Sequence, residues 1–393
     1  MSDLHAASEA AALPSTLSVP RVLEIRFTGS GSEYFRIWAV NLLLILVTLG
    51  LYLPFAKARR IRYFYANTLV DGQALSFHGD AWKMFRGFLL LVVLMAAYTF
   101  AGKVSATAAL VAFLILCGVW PALWRASLQF RLGNTSWRGL RMRFEGEMKE
   151  AYLACLPTYI PAILLVASGL LIEPGEEAQL TQLTAATSLN LIGVLAILLL
   201  TPMSLTLFKR YQHNGYRIAG QHSVSSLTVG QVYMLSLRVA LVSLLPLLLA
   251  GLIIGFSVAM LRGFGASREM ALVFLGAASV LAYLAYFAVV MPYAASRLQN
   301  LVWNTTRSEA LGFNSQLKFG ALFGLTLKNW LLTLLTLGLY RPFAVVATAR
   351  LRLEAVSIGC DDDPLDWVAA ANAGHEDATG DVAGDFFGID MGL

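Results

Sequence analysis

The sequence predicts an all-α membrane protein with six to eight transmembrane or membrane-embedded helices, cytoplasmic amphipathic helices, short β-hairpins and internal pseudo-repeats. Three observations lead there. Of the 393 residues 58% are hydrophobic and 13% charged, where soluble domains carry about a quarter charged residues. Several apolar stretches approach or exceed the roughly 20 residues that cross a hydrocarbon layer, and their lack of strict alternation argues for helices over a membrane barrel. The segment "NLLLILVTLGLYLPFAKARRIRY" (41–63) also returns as "NWLLTLLTLGLYRPFAVVATARLRL" (329–353).

Residues 1–24 read as a flexible N-terminus. Their first twenty residues hold Asp3 and Glu9, no Lys or Arg and no apolar run, so no cleaved secretory leader is expected. Residues 25–359 form the repeat-containing membrane domain. Its clearest crossings are 88–102, 106–123, 153–172, 189–208, 239–261 and 271–293, which pair into three hairpins. The loops within those hairpins hold three basic residues, Lys103, Arg262 and Arg268, whereas the four segments between membrane stretches (55–86, 124–152, 209–238 and 293–328) hold twenty. The positive-inside rule therefore places the long basic segments in the cytoplasm.

The two copies of the repeated segment are harder to assign. Residues 37–53 and 319–340 either both cross, in opposite directions, or both dip into the inner leaflet and return. The final stretch, 360–393, carries nine acidic residues from Asp361 onward and no Lys or Arg, leaving about +14 on the body of the chain. With little bulky apolar content, it reads as an acidic disordered tail.

Five times the order is proline at a span end (Pro54, Pro121, Pro202, Pro292, Pro342) and then a helical stretch with Arg or Lys. In four of them Asn follows about twelve residues later: Asn67, Asn134, Asn214 and Asn304. Proline suits a helix start, where no ladder bond is lost. Asn fits a helix end, since it tolerates the left-handed conformation and bonds local backbone. The Phe-x-Gly strings at Phe27, Phe77 and Phe144 lie in short alternating runs that suggest β-hairpins.

The strings "YFRIWAVNLLLILVTLGLYLPFAKARRIRYFYANTLVDGQALSFHG", "NTSWRGLRMRFEG", "NLVWNTT", "TLGLYRPFA" and "ARLRLEAV" resemble the YjgN-like family of uncharacterised bacterial inner-membrane proteins, over about residues 25–359. That resemblance implies a multi-pass location in the bacterial inner membrane and a domain of unknown function. Members typically carry Trp where this chain has Phe55 and Phe343, and an Arg where it has Val346-Ala347, so the last basic helix is less charged here.

No enzyme signature is present: the chain lacks G-x-S-x-G, H-E-x-x-H, Walker A and a G-x-G-x-x-G that opens a helix. Enzymatic activity, a cofactor and a metal are not expected. The five His stand at non-ligand spacings, although His213 and His222 share one segment, and "GSGSEY" (29–34) reads as a turn. The three Cys (Cys117, Cys155, Cys360) form no C-x-x-C pair.

Two sets of candidate residues emerge. Asn41, Thr48, Gly50, Lys328, Asn329, Thr336 and Gly338 form a candidate polar site within the membrane, where Asn pairs can bond across helices and an ionisable side chain marks function. Lys57, Arg59, Arg60, Arg62, Arg125, Arg131, Lys209, Arg210, Arg297, Arg350 and Arg352 are candidate contacts for anionic lipid headgroups at the cytoplasmic face. Nucleic acid is not an expected partner, because the basic residues are dispersed along membrane boundaries; homo-oligomerisation is compatible with the pattern. Two functional classes follow: permeation of a small molecule or lipid, and a membrane scaffold or membrane-shaping protein that binds anionic lipid.

Overall fold

The computed structural model describes residues 21–171, 180–263, 265 and 267–377. The chain starts with strand β1 (Arg21–Phe27) and a helical hairpin, α1 (Gly31–Val47) and α2 (Leu53–Ala66). Then come strands β2 (Thr68–Val70) and β3 (Gln73–Phe77), helices α3 (Ala81–Val104) and α4 (Ala106–Gly133), and strands β4 (Thr135–Trp137) and β5 (Leu140–Phe144). Helices α5 (Met148–Leu170) and α6 (Leu180–Asn214) lead to strands β6 (Tyr216–Ile218), β7 (Gln221–His222) and β8 (Val224–Ser225). Helices α7 (Val229–Gly263) and α8 (Arg268–Asn304) precede strands β9 (Thr306–Arg307) and β10 (Leu311–Ser315). A second short hairpin, α9 (Phe319–Leu335) and α10 (Arg341–Leu353), ends in strand β11 (Val356–Cys360) and helix α11 (Pro364–Asp377).

Three hairpin turns are built alike. Asp71-Gly72, Arg138-Gly139 and Ala219-Gly220 all have positive φ at both positions, the two-residue turn whose twist matches that of the flanking strands. The expected hairpins do not stand apart, as an all-α description implies. They join edge to edge in one antiparallel sheet of order β7-β6-β5-β4-β3-β2-β1-β11-β10-β9-β8. Its two ends, β7 and β8, are separated by Ser223 alone, so the chain itself closes the series. At the other seam β1 pairs with β11, Arg21 opposite Cys360 and Leu23 opposite Ile358, which brings the two ends of the domain together.

The helices close a ring as well. Each of α1 to α10 packs on its sequence neighbours, and α10 packs on α1. The main helix packing therefore runs round the ring. Where strands converge, Leu23, Val70, Trp137, Leu140, Ala310 and Cys360 form one buried cluster with Trp367 of α11. Burying such side chains contributes roughly 1.5–3 kcal/mol each, and the cluster fills the middle of the sheet.

Six helices are long and apolar enough to cross a membrane: α3, α4, α5, α6, α7 and α8. With 35 residues in α6 and in α7 and 37 in α8, the last three are about 50 Å long. They exceed the roughly 30 Å hydrocarbon layer, and their ends project from it. Helices α1 and α9 have 17 residues each. Each leaves the sheet and is returned to it by α2 or α10, so neither repeated segment crosses. Their tips are apolar and open, with Leu49 and Leu337 each 94% exposed.

Three expectations change. Pro54 and Pro342 do start helices, but Pro121, Pro202 and Pro292 lie inside continuous α4, α6 and α8. A membrane helix tolerates the lost bond where neighbouring groups satisfy the freed carbonyl. Asn67 and Asn134 are not left-handed, with φ of −98° and −99°; their amides instead donate to the carbonyls of Tyr63 and Phe130, four residues back. The acidic stretch from residue 360 is ordered as far as Asp377, because Cys360 and Trp367 are buried in the sheet's core. Residues 1–20, the acidic tip 172–179 with Glu173, Glu176 and Glu177, and 378–393 lie outside the described residues.

Because every hairpin turn belongs to one sheet, the sequence positions between membrane hairpins share one side. In a variant without native cysteines, cysteines placed at Gly139 and Gly220 should react alike with a membrane-impermeant thiol reagent. One at Lys103 should show the opposite accessibility; labelling of all three from the same side would disprove six crossings.

Candidate functional site

The repeated Thr-Leu-Gly-Leu-Tyr segment folds the same way twice. Thr48 Oγ1 donates to the Leu44 carbonyl at 2.7 Å and accepts from Tyr52 N at 3.0 Å. Thr336 does the same with Leu332 and Tyr340, at 2.7 and 2.9 Å. Leu49 and Leu337 have φ near 50°, and Gly50 and Gly338 have φ of 93° and 94°, which reverses the chain and lets the Gly N–H groups reach Ile45 and Thr333 carbonyls. Four of the seven candidate polar residues thus build turns. Lys328 is exposed on α9.

The two Asn are different. Asn41 and Asn329 sit mid-helix at 7% and 5% exposure. Asn329 Nδ2 donates to the Ala344 carbonyl at 3.3 Å and to Thr348 Oγ1 at 3.2 Å, both on α10. The carboxamide oxygens of both Asn are buried with no hydrogen-bond partner among the described residues. The short hairpins themselves meet, for α1 packs on α10, Phe35 lies 5.9 Å from Phe343, and the Phe343 ring fills the space beside Gly31.

The basic residues divide into three groups. Arg62, Arg125 and Arg350 are struts, donating to the carbonyls of Gly79, Gly146 and Gly29 at 2.9, 2.7 and 2.8 Å. Those glycines end the three Phe-x-Gly strings, so each strut ties a post-proline helix to a strand end. In α8 the same task falls to Asn300, whose Nδ2 donates to the Leu317 carbonyl at 3.0 Å.

Lys57, Arg59, Arg60, Arg210 and Arg297 form the second group. They are exposed, and three of them lie over aromatic rings: Arg59 over Tyr52, Arg60 over Phe64 and Arg297 over Tyr293, at 5.6, 5.8 and 5.6 Å. Tyr34, near Arg60 and Arg341, has its phenol raised above the usual range by burial, with both cations pulling the other way.

Arg131, Lys209 and Arg352 make the third group. Lys209 lies within electrostatic reach of Arg352 and Arg131, and α4 packs on α6 beside it through Trp124, whose ring lies 5.0 Å from Phe208 and 4.9 Å from Tyr211. Arg352 Nε donates to Gln299 Oε1 at 2.8 Å while Gln299 Nε2 donates to the Arg352 carbonyl at 2.9 Å. Lys209 Nζ donates to Gln212 Oε1 at 3.3 Å. Tyr216 stands beside Arg131 and Tyr65; burial raises its phenol and Arg131 draws it down. His213, nearby, pairs Nδ1 with Thr306 Oγ1 at 2.9 Å. Among the described residues no three His, Cys, Asp or Glu are grouped to hold a metal.

Sequence reasoning missed Tyr65 and Gln299 here, and a signal for them existed. Tyr65 stands eleven residues after its proline, Arg131 and Arg352 ten, Lys209 and Gln299 seven. Those offsets share one helix face.

Gly50→Ala or Gly338→Ala should lower the melting temperature, at a cost of about 1 kcal/mol or more, since each glycine has a positive φ. Gly230→Ala, on α7 with open space beside it, should not. Asn329→Leu should change stability by about 1 kcal/mol or less, whereas Asn329→Asp should cost about 3 kcal/mol or more, because a carboxylate buried without a cation is expensive. Equal melting temperatures for the two would count against the dry environment of that side chain.

No solved structure matches this chain. The chain is similar to inner membrane protein YjgN of Escherichia coli O157:H7, 31% identical over 146 residues, and of Escherichia coli K12, 32% identical over 151 residues. It is 28% identical over 143 residues to the protein of that name in Salmonella typhimurium. In each case the match covers 36% of this chain and 36% of the relative. With six apolar helices able to span a bilayer, the chain is a multi-pass protein of the bacterial inner membrane. It matches a family model over residues 22–386, nearly its whole length, and so belongs to the family described as bacterial protein of unknown function, DUF898.

Proposed function

We propose that the protein is a non-enzymatic membrane scaffold, built of five repeated units, whose basic face binds anionic lipid on the cytoplasmic side. The observation that carries this reading is the exposed second group, Lys57, Arg59, Arg60, Arg210 and Arg297, none of which has a carboxylate partner among the described residues. Arg210 and Arg297 follow span ends and Lys57, Arg59 and Arg60 lie on the returning helix α2; near an anionic surface each adds about 1 kcal/mol of attraction. The positive-inside distribution assigns that face to the cytoplasm.

Permeation is the second reading, and the closed helix ring favours it. Against it, Thr48, Gly50, Thr336 and Gly338 are engaged in turns.

Native mass spectrometry of the full chain, released from nanodiscs of mixed phosphatidylglycerol and phosphatidylcholine, tests the scaffold. Phosphatidylglycerol should be enriched among the retained lipids. The combined variant K57Q/R59Q/R60Q/R210Q/R297Q should lose most of that enrichment without losing its fold. Equal retention of both lipids by the unmodified chain would refute the proposal, and release of a trapped small dye from proteoliposomes would favour permeation.

A further inference from the structure

A cleft of about 360 Å³ lies between α7 and α8, toward the sheet-side ends of both helices. Strand pairing puts it there. β8 pairs with β9, Ser225 opposite Thr306, so the start of α7 and the end of α8 are held side by side, and Leu227, Val232 and Val302 bury the contact between them. Beside that contact the cleft is lined by Gln231, Met234, Leu235 and Arg238 of α7 and by Arg297 and Leu301 of α8. Counted from Val229 and from Asn304, the two arginines stand about 14 Å and about 11 Å along their helices, close to one level. That level is the membrane boundary, for the apolar run 239–261 begins just after Arg238 and the run 271–293 ends four residues before Arg297.

The charge in the cleft is uncompensated. Helix α7 carries no Asp or Glu, and the single acidic residue of α8, Glu269, lies in its first turn, at the far end. Among the described residues neither guanidinium has a carboxylate within 4 Å, and no hydrogen bond engages either side chain. Arg297 lies over the Tyr293 ring at 5.6 Å, a placement that leaves the N–H edge of the fork free. Gln231 is fixed by a capping box: its Oε1 accepts from Thr228 N at 2.9 Å and its own N–H donates to Thr228 Oγ1 at 3.3 Å. Its Nε2 donors remain available. Guanidinium forks match phosphate oxygens two at a time, and Met234, Leu235 and Leu301 supply an apolar wall beside them.

We infer that this cleft binds one anionic phospholipid, with the phosphate between Arg238 and Arg297, the Gln231 amide as a further donor, and the upper acyl chain along Met234 and Leu235. Its place at the membrane boundary and its apolar wall select a lipid over a soluble anion. The inference rests on the lipid-binding reading of the basic face and narrows it to one stoichiometric site, in which Arg238 lies outside the five-residue group.

The test reconstitutes the full chain in nanodiscs of mixed phosphatidylglycerol and phosphatidylcholine and identifies, by native mass spectrometry, the lipid that survives rising collisional activation. About one phosphatidylglycerol per chain should outlast the rest. Arg238→Gln and Arg297→Gln should each lower the fraction of chains that carry it tenfold or more. Both side chains are exposed, so both variants should melt in detergent as the unmodified chain does, and either one suffices for the test. Arg36→Gln, which removes the same charge from an exposed position on α1, should leave the lipid in place. Arg238→Lys, which keeps the charge and loses the fork, should fall between R238Q and the unmodified chain. Absence of a surviving lipid would overturn the inference, as would a survivor that R238Q and R297Q leave unchanged, one that R36Q removes equally, or one that is phosphatidylcholine. General enrichment of phosphatidylglycerol without a single survivor would sink the site alone. One surviving phosphatidylglycerol that R238Q removes, without general enrichment, would uphold the site and sink only the broader basic face.

Discussion

The architecture depends on one non-covalent seam, the pairing of β1 with β11. The sheet and the helix ring close there at once, since β1 leads into α1, β11 follows α10, and α1 packs on α10. Two further bonds span the seam: Arg350 donates to the Gly29 carbonyl and the Phe27 N–H donates to Glu354 Oε1 at 3.1 Å. Contacts between residues more than 300 apart in sequence carry a high loop-closure cost, so the seam forms last or forms only with the rest of the ring in place. The duplicated Thr-Leu-Gly-Leu-Tyr segments lie in the two short hairpins that flank it. Their similarity has a geometric reason, for both hairpins leave the sheet and return to it.

That closure also determines where the charge goes. A basic helix on a flat surface can turn its cations outward; a basic helix in a closed ring has an inner face as well. The strut arginines resolve part of this by bonding glycine carbonyls at strand ends, where a Cβ on Gly79 or Gly146 would strike the Phe77 or Phe144 ring. The strand end is thereby held close to the helix. Arg131, Lys209 and Arg352 have no such carbonyl to bond.

Much of this was legible in the sequence. The six crossings, the hairpins after Asn67 and Asn134 and the recurrence of proline, basic helix and Asn follow from apolar run length and short-range turn chemistry, both local properties. The continuity of the sheet was not legible. Strands of two or three residues, such as β8 and β9, are too short to show alternation, and the partner of β1 lies at the far end of the chain. Two mistaken expectations share that cause. The acidic content of the tail concealed Cys360 and Trp367, whose burial depends on a core supplied by the other strands. Prolines inside α4, α6 and α8 read as helix ends because the neighbours that tolerate them are remote in sequence. For the basic residues, composition counted all eleven candidates alike, whereas their roles are set by what lies opposite each one.

The ring is not level. Three of its helix hairpins are long enough to span the bilayer, and the two that flank the seam are not. Because α9, α10, α1 and α2 are consecutive round the ring, the wall is low along one continuous arc. Their exposed apolar tips, Leu49 and Leu337, end within the apolar layer, since residues of that kind have no reason to leave it. Beyond those tips no helix among the described residues is long enough to span a bilayer between α8 and α3 round the ring. The seam that closes the ring near the sheet is therefore flanked by the helices that reach least far from it.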